Sequence, residues 1–225
     1  MAICWTSAVT QLDNAAVLAP ERYSTRRSAL SVELRDTVAL TDLARLVRIT
    51  VNPAHRNTAD QPFIVLDTTH AVEGRIYFSG APTMGAEVGS VKRPLANGNV
   101  IVSRLRTYLK QIALVDDELL QRFKAQVVCS TEFYILEPKE PGEDIAFLVP
   151  FLLSDSVQTA FKQSQEGGHH PRIHQSVLMD LRLPNTILRQ RNELSLQLRS
   201  AIRETRKGEE IFASCANKIT QLILG

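Results

Sequence analysis

From Ile187 onward, alternating steps of four and three residues pick out Ile187, Arg191, Leu194, Leu198, Ala201, Thr205, Gly208, Phe212, Cys215, Ile219 and Leu222. Eight of these eleven positions are apolar or cysteine, and the spacing holds without a skip. A seam of this period over roughly five heptads predicts a left-handed coiled coil rather than an ordinary surface helix. At about 1.5 Å per residue the helix would run on the order of 55 Å, longer than a compact domain requires. Ala201, Thr205 and Gly208 thin the middle of the seam, and its midpoint falls near Thr205. An antiparallel partner of the same sequence would therefore cross small-on-small at the centre. The competing reading is a helix that packs back on its own domain, with Gly208 as a break. The chain is accordingly divided into a globular part, 1–184, and a helical arm, 185–225.

The globular part has one conspicuous charge asymmetry. Asn97-Gly98 leads into the β-branched run Val100–Val102, which ends in Ser103-Arg104-Leu105-Arg106, and a second apolar run, Ile112–Val115, follows Tyr108 and Lys110. Turn, strand, basic tip and strand form a scaffold that presents cations to an anionic partner. From Lys92 to Val115 there are five basic residues (Lys92, Arg93, Arg104, Arg106 and Lys110) and no acid before Asp116. The plain alternative is a solvated hairpin end.

That stretch matters because the chain as a whole is nearly balanced, with a formal net charge of +2 over 225 residues. No global field advertises nucleic acid, so any such site is a local patch. The cysteines Cys4, Cys129 and Cys215 are odd in number, far apart and not in metal-type spacing, which fits a reduced compartment. No charged segment followed by an apolar run marks a signal peptide. The apolar run Ile145–Leu153 is interrupted by Pro150 and too short to cross a bilayer. A cytoplasmic protein without a membrane association is expected.

Along the chain, Val38, Leu40, Leu43, Leu46 and Val47 at helical spacing predict a short amphipathic helix over Val38–Val47, starting near Thr41 or Asp42. Asn52–Gln61 reads as a loop, Phe63–Asp67 and Gly74–Phe78 as strands, and Ser79–Ser90 as a long flexible connection. Asp116–Phe123 reads as a helix with acids at its N-terminus. Gln126–Cys129 and Glu132–Leu136 are extended runs, and Pro138–Gly142 breaks the chain. Glu143–Phe161 is helical in two pieces, the first disrupted by Pro150 and the second capped by Ser154 or Asp155. A loop over Gln165–His170, a helical turn around Ile173–Met179 and a strand stub at Leu181–Pro184 complete the globular part. Strands and helices mix without βαβ alternation, so the expected class is α+β: a mixed-sheet domain followed by a long helix.

In this order and spacing, five stretches resemble one family. Val38–Arg48 is similar to its early helix, and Pro62–Ile76 to its strand–turn–glycine segment. Asn97–Val115 matches its turn, isoleucine-rich strand and Ser-Arg-Leu-Arg. Cys129–Leu136, with Ser-Thr-Glu-Phe, resembles a further strand, and Gly167–Pro184 resembles the glycine loop, proline–arginine and terminal proline that precede a long helix. The family is that of the specificity subunits of type I restriction–modification systems. The chain departs from it in carrying Asn99 where the family's turn has Asp, and in holding one recognition domain and one long helix where a complete subunit has two of each.

The resemblance implies a non-catalytic reader of double-stranded DNA that directs methyltransferase subunits, with or without a restriction subunit, to a bipartite target. It also implies a homodimer, or a pairing with a second half-subunit, through antiparallel helices whose seam holds Ile187, Leu194, Leu198, Ala201, Thr205, Phe212, Cys215, Ile219 and Leu222. No cofactor is expected on this chain; S-adenosylmethionine would belong to the methyltransferase partner, which flips and methylates an adenine. Such a reader needs phosphate-clamping cations and a few side chains that reach base edges. Lys92, Arg93, Arg104, Arg106 and Lys110 are candidates, with Ser103 or Arg104 alternatively part of the scaffold. The loop Gly167–His174 adds His169, His170, Arg172 and His174 beside glycines, and Arg75 is a further candidate. The rival reading, a metal-dependent hydrolase or nuclease, rests on His169, His170 and His174, with His170 and His174 four apart. Pro171 discourages a helix through them, and no cysteine or carboxylate pair nearby completes a site. Cys129 and Ser130 lie in a predicted strand with no evident base, so no catalytic or metal-binding residue is expected.

Overall fold

The computed structural model describes residues 36–167 and 171–224. Readings that fall on Cys4, His169 or His170 lie outside the described residues. In chain order the elements are β1 (Thr37–Ala39), α1 (Leu40–Leu43), β2 (Ala44–Leu46), β3 (Pro62–Leu66), β4 (Ala71–Val72), β5 (Arg75–Ile76), β6 (Thr83–Met84), β7 (Lys92–Pro94), β8 (Val100–Ser103) and β9 (Ile112–Leu114). There follow α2 (Asp117–Arg122), β10 (Gln126–Ser130), β11 (Phe133–Pro138), α3 (Leu148–Leu153), α4 (Asp155–Gln163), α5 (Gln175–Met179), β12 (Arg182–Pro184), α6 (Asn185–Arg189) and α7 (Arg191–Leu224).

Two four-stranded sheets make the body. One is antiparallel throughout, in the order β2-β11-β8-β9. The other, β6-β3-β10-β7, is mixed, because β3 and β10 run parallel. The first sheet is buried on both faces, which is why its strands read as unbroken apolar runs. Val100 and Val102 of β8, Ile112 and Leu114 of β9, and Tyr134 and Leu136 of β11 join a core with the helices. The alternate residues Ile101, Ala113, Phe133 and Ile135 pack instead with Ile64 and Leu66 of β3 and Val127 and Cys129 of β10. The period-2 direction of side chains in a strand thus divides each run between two cores. The layers are mixed sheet, antiparallel sheet and helices. Between β10 and β11 the chain passes from one sheet to the other through Thr131 and Glu132 alone.

Asn97-Gly98 precedes β8, and the side chain of Asn99 accepts from the Ala96 N–H at 2.8 Å. An amide oxygen fills that role as well as a carboxylate would, so Asn99 supports the turn. Asp116 caps α2, accepting from the Leu119 N–H at 2.8 Å.

Several expectations need correction. Val38–Val47 is not one helix. It is strand, a single helical turn and strand, because β1 finds β12 and β2 finds the edge of β11. The Leu40 N–H, which a longer helix would leave without a partner, is taken by the Leu181 carbonyl at 2.9 Å. The connection Ser79–Ser90 includes β6 and a 3₁₀ turn at Gly85–Glu87, tied to the preceding loop through Gly85 N–H to Gln61 and Ala86 N–H to Ala59. Pro150 sits inside α3 without breaking it, since it falls in the first turn, where N–H groups lack intrahelical acceptors. Ser154 occupies the N-cap of α4, but its side chain makes no capping bond.

The helical arm is also built differently from its seam. Asn185–Arg189 is a separate short helix, closed at Gln190, whose N–H bonds back to Ile187 and Leu188. α7 then runs 34 residues, about 51 Å at 1.5 Å per residue, straight through Gly208. Its first half docks on the domain along Arg191, Ser195, Arg199, Ile202, Arg206 and Glu209, with the seam residues Leu194 and Leu198 packed on the core beside them. Ile202 is buried in the core, and Ser195 Oγ accepts from the Phe147 N–H at 3.1 Å. Arg199 grips Asp144 through two bonds of 2.9 and 3.0 Å. Burial alone would raise the Asp144 pKa, but these bonds, the Ala146 N–H and the Arg199 charge hold it below the ordinary carboxylate range. Arg206 reaches Asp116 at 2.8 Å and Glu118 at 2.6 Å. From Glu210 to Leu224 every residue is exposed.

Candidate nucleic-acid interface

The two stretches that sequence put forward separately, the basic tip and the glycine loop, lie against each other. The tip connects β8 to β9 through a 3₁₀ turn at Thr107–Leu109. Arg106 and Lys110 flank that turn in the left-handed region, at φ 43° and 51°, a conformation costing of order 1 kcal/mol or more for a residue with a Cβ. The loop reaches the tip through its backbone. The Arg106 N–H donates to the Pro171 carbonyl at 2.9 Å, and the Ile173 N–H donates to the Arg104 carbonyl at 3.0 Å. Glu166 and Arg172 exchange two backbone bonds of 2.8 Å, which closes the loop on itself. Gln165 Nε2 adds a side-chain bond to Thr107 Oγ1 at 2.6 Å. Ser103 stays on the scaffold: its hydroxyl donates to the Leu105 carbonyl and accepts from the Leu105 N–H.

Glu132 sits where the tip and loop meet. Its carboxylate accepts from Arg104 Nε at 2.7 Å and from Arg172 Nη2 at 3.1 Å and Nε at 3.3 Å. Its carbonyl accepts the Arg104 N–H at 3.0 Å. Burial alone would push this carboxyl up; hydrogen bonds from the two guanidinium groups, and their charges, outweigh it and hold Glu132 at about 2. The neighbouring Tyr134 hydroxyl donates to the Ile173 carbonyl at 2.9 Å. Two arginines and one carboxylate leave the cluster with a net charge of +1 at neutral pH. It is not sealed, since the Arg104 and Arg172 side chains keep 35% and 44% of their accessible area.

The other sequence candidates lie on other elements, with Lys92 paired to Ser130, two residues before Glu132. Lys92 and Arg93 lie on β7, at the edge of the mixed sheet, where Lys92 Nζ bonds Ser90 Oγ and Arg93 Nη1 donates to the Val47 carbonyl at 3.1 Å. Arg75 on β5 pairs with Glu209 of α7 and stands 5.9 Å from the Tyr77 ring centroid, so it fastens the helix. His174 is the N-cap of α5, its Nδ1 accepting from the Ser176 N–H at 3.3 Å. Tip and loop together present Arg104, Arg106, Lys110 and Arg172, with Tyr108 and Leu109 exposed beside them. Cations beside an aromatic ring and an aliphatic side chain can contact phosphates and base faces. Sequence reasoning missed Glu132. Its only signal was an acid at the end of a strand whose partners lie 28 and 40 residues away. Among the described residues no group of three or more His, Cys, Asp or Glu is placed to hold a metal ion. No helix among them is long and apolar enough to cross a membrane. Cys129 is buried, and desolvation pushes its thiol up to about 12.

A mixed sheet and an antiparallel sheet stacked under helices, with one long helix leaving the body, define an α+β domain-plus-arm architecture. Solved structures share it. The chain superposes on a type I R-M (restriction–modification) system chain at a TM-score of 0.57 and 21% identity, covering 84% of this chain and 48% of that one. It superposes on the HsdS subunit from Thermoanaerobacter tengcongensis at 0.55 and 22%, covering 83% and 46%. The fold is that of an HsdS-type specificity subunit, as the sequence motifs implied. This chain spans about half the length of the structures it matches. No family model and no curated protein matches it.

Proposed function

We propose that the chain is a sequence-specific double-stranded DNA recognition subunit of a type I-like restriction–modification system. It does no chemistry itself; it directs methyltransferase subunits, with or without a restriction subunit, to a bipartite target. The observation that carries this reading is the HsdS-like fold over more than four-fifths of the chain. The basic tip and loop on one surface support it. The tip–loop surface would read one half-site, with phosphate contacts for register and arginine forks for guanine edges.

Two such units would act together through α7. The first seam positions, Ile187, Leu194 and Leu198, pack on the protomer's own core, whereas 201, 205 and 208 are exposed, each one residue before a docked position, so from Ala201 onward the seam turns about 100° away from the domain. Phe212, Ile219 and Leu222 continue it at 80%, 57% and 72% exposed, with Cys215 exposed among them. An apolar stripe left in water at this period is what a second helix would cover. The helix pair would then set the distance between two inverted half-sites.

The test is genome-wide adenine methylation in the host with and without this gene. One bipartite motif with symmetric, inverted halves should vanish on deletion. Unchanged methylation would overturn the reading, and an asymmetric motif without a second recognition chain would overturn the homodimer. In vitro, duplex binding should weaken steeply with salt and be lost on Arg104→Ala plus Arg106→Ala.

A further inference from the structure

Glu132 neutralises half the charge of an arginine pair at the surface proposed to meet a polyanion. For electrostatic attraction alone it is the wrong residue in that place. Its geometry indicates another role. It lies in the two-residue passage between the sheets, so its backbone is fixed by both. It engages Arg104 through one bond and Arg172 through two, all from a single carboxylate. The arginines come from different segments, the tip and the loop, which also meet through backbone bonds and the Gln165–Thr107 pair. The tip also holds two residues in the left-handed region, a conformation that must be held from outside.

We propose that Glu132 is a positioning residue for DNA discrimination: it locks tip to loop and fixes Arg104 and Arg172, so that the surface fits particular base edges at the expense of general affinity for phosphate. The inference rests on the DNA-recognition reading above. A guanidinium that arrives already oriented discriminates better, because a bidentate match to guanine requires a fixed plane, whereas phosphate contacts tolerate a mobile side chain. Without the carboxylate, the same two arginines become flexible cations: one more uncompensated charge, and less geometric selection.

The experiment selects from a randomised duplex pool with the full chain, using wild type, Glu132→Gln and Arg172→Lys, and follows binding of the unselected pool against salt. Wild type should enrich a sequence motif. Glu132→Gln should bind the unselected pool at least as tightly, with a slope of log K against log salt steeper by about 1. It should lose enrichment at one or more motif positions while keeping the others. Arg172→Lys retains the charge but not the fork, so it should lose enrichment with its salt slope unchanged. A merely structural role for Glu132 would weaken pool binding and all motif positions together, and that outcome overturns the inference. So does an unaltered motif in both variants. If wild type itself binds no duplex, the DNA reading fails and takes this inference with it.

Discussion

At the scale of single residues, Glu132 makes a prediction that needs no DNA. A carboxyl held at about 2 in the fold against an ordinary value of 4.5 binds fewer protons folded than unfolded over that interval. Its contribution is therefore complete above about pH 4.5 and is lost as pH falls toward 2. Solvent screens part of the shift at this half-open site, so the loss should be about 1 kcal/mol. Asp67 and Asp144 are depressed too and add the same sign, so the comparison must be between wild type and Glu132→Gln. In urea unfolding from about pH 6 to pH 3, wild type should lose about 1 kcal/mol more than the variant; parallel curves would mean that the ion pairs are energetically idle. Gly85 makes a second prediction. A Cβ there would collide with the backbone carbonyls of Thr58 and Pro53, neither of which is a yielding side-chain tip. Gly85→Ala should cost about 2 kcal/mol by chemical denaturation, with the duplex motif unchanged. Neither residue was legible in the sequence, because both owe their role to atoms brought up by folding rather than to neighbours along the chain.

At the scale of elements, legibility followed burial. Val100–Val102, Gln126–Cys129 and Glu132–Leu136 read as strands because β-branched and aromatic residues fill both faces of central strands. Val38–Val47 misled because its apolar residues fit a helical period over ten positions, while edge pairing with β12 and β11 decided the outcome. Two-residue strands such as β4, β5 and β6 carry no period at all and exist only as partners. The seam held both of the readings open to it: α7 packs on its own domain as far as Glu209 and leaves the rest uncovered, with Gly208 inside an unbroken helix. Removing 211–224 should therefore leave the protomer's unfolding midpoint within about 2 °C in dilute solution, since those side chains bury nothing within it. The same truncation should abolish self-association in sedimentation velocity. A truncated protein that still sediments as a dimer would place the contact elsewhere than on the seam.

At the scale of the whole molecule, the class of fold was legible, because the motifs and their succession along the chain carry it, but the order of strands in the sheets, β2-β11-β8-β9 and β6-β3-β10-β7, does not follow the chain and was not. Nor was the seating of α7 on the domain, because it rests on contacts between residues far apart in sequence: core packing of Leu194, Leu198 and Ile202, the Ser195–Phe147 bond and ion pairs. Those pairs differ in exposure. Arg206, with 11% of its side chain accessible, sits between Asp116 and Glu118, whereas Arg191 and Glu143 are 3.5 Å apart with 42% and 36% accessible. Mobile ions weaken the open pair far more than the enclosed one. α7 is thus held at Arg206 by an ion pair that salt barely reaches and at Arg191 by one that salt loosens, with Leu194, Leu198 and Ile202 packed on the core between them. Between about 0.05 M and 0.5 M salt, small-angle scattering of the full chain, at concentrations low enough to keep it monomeric, should show its maximum dimension broaden, and Arg206→Met should broaden it already at low salt. Ionic strength would then act on more than the strength of binding. It would tune how far the exposed end of α7 extends and, on the proposed DNA-recognition reading, the spacing between half-sites that a pair would span.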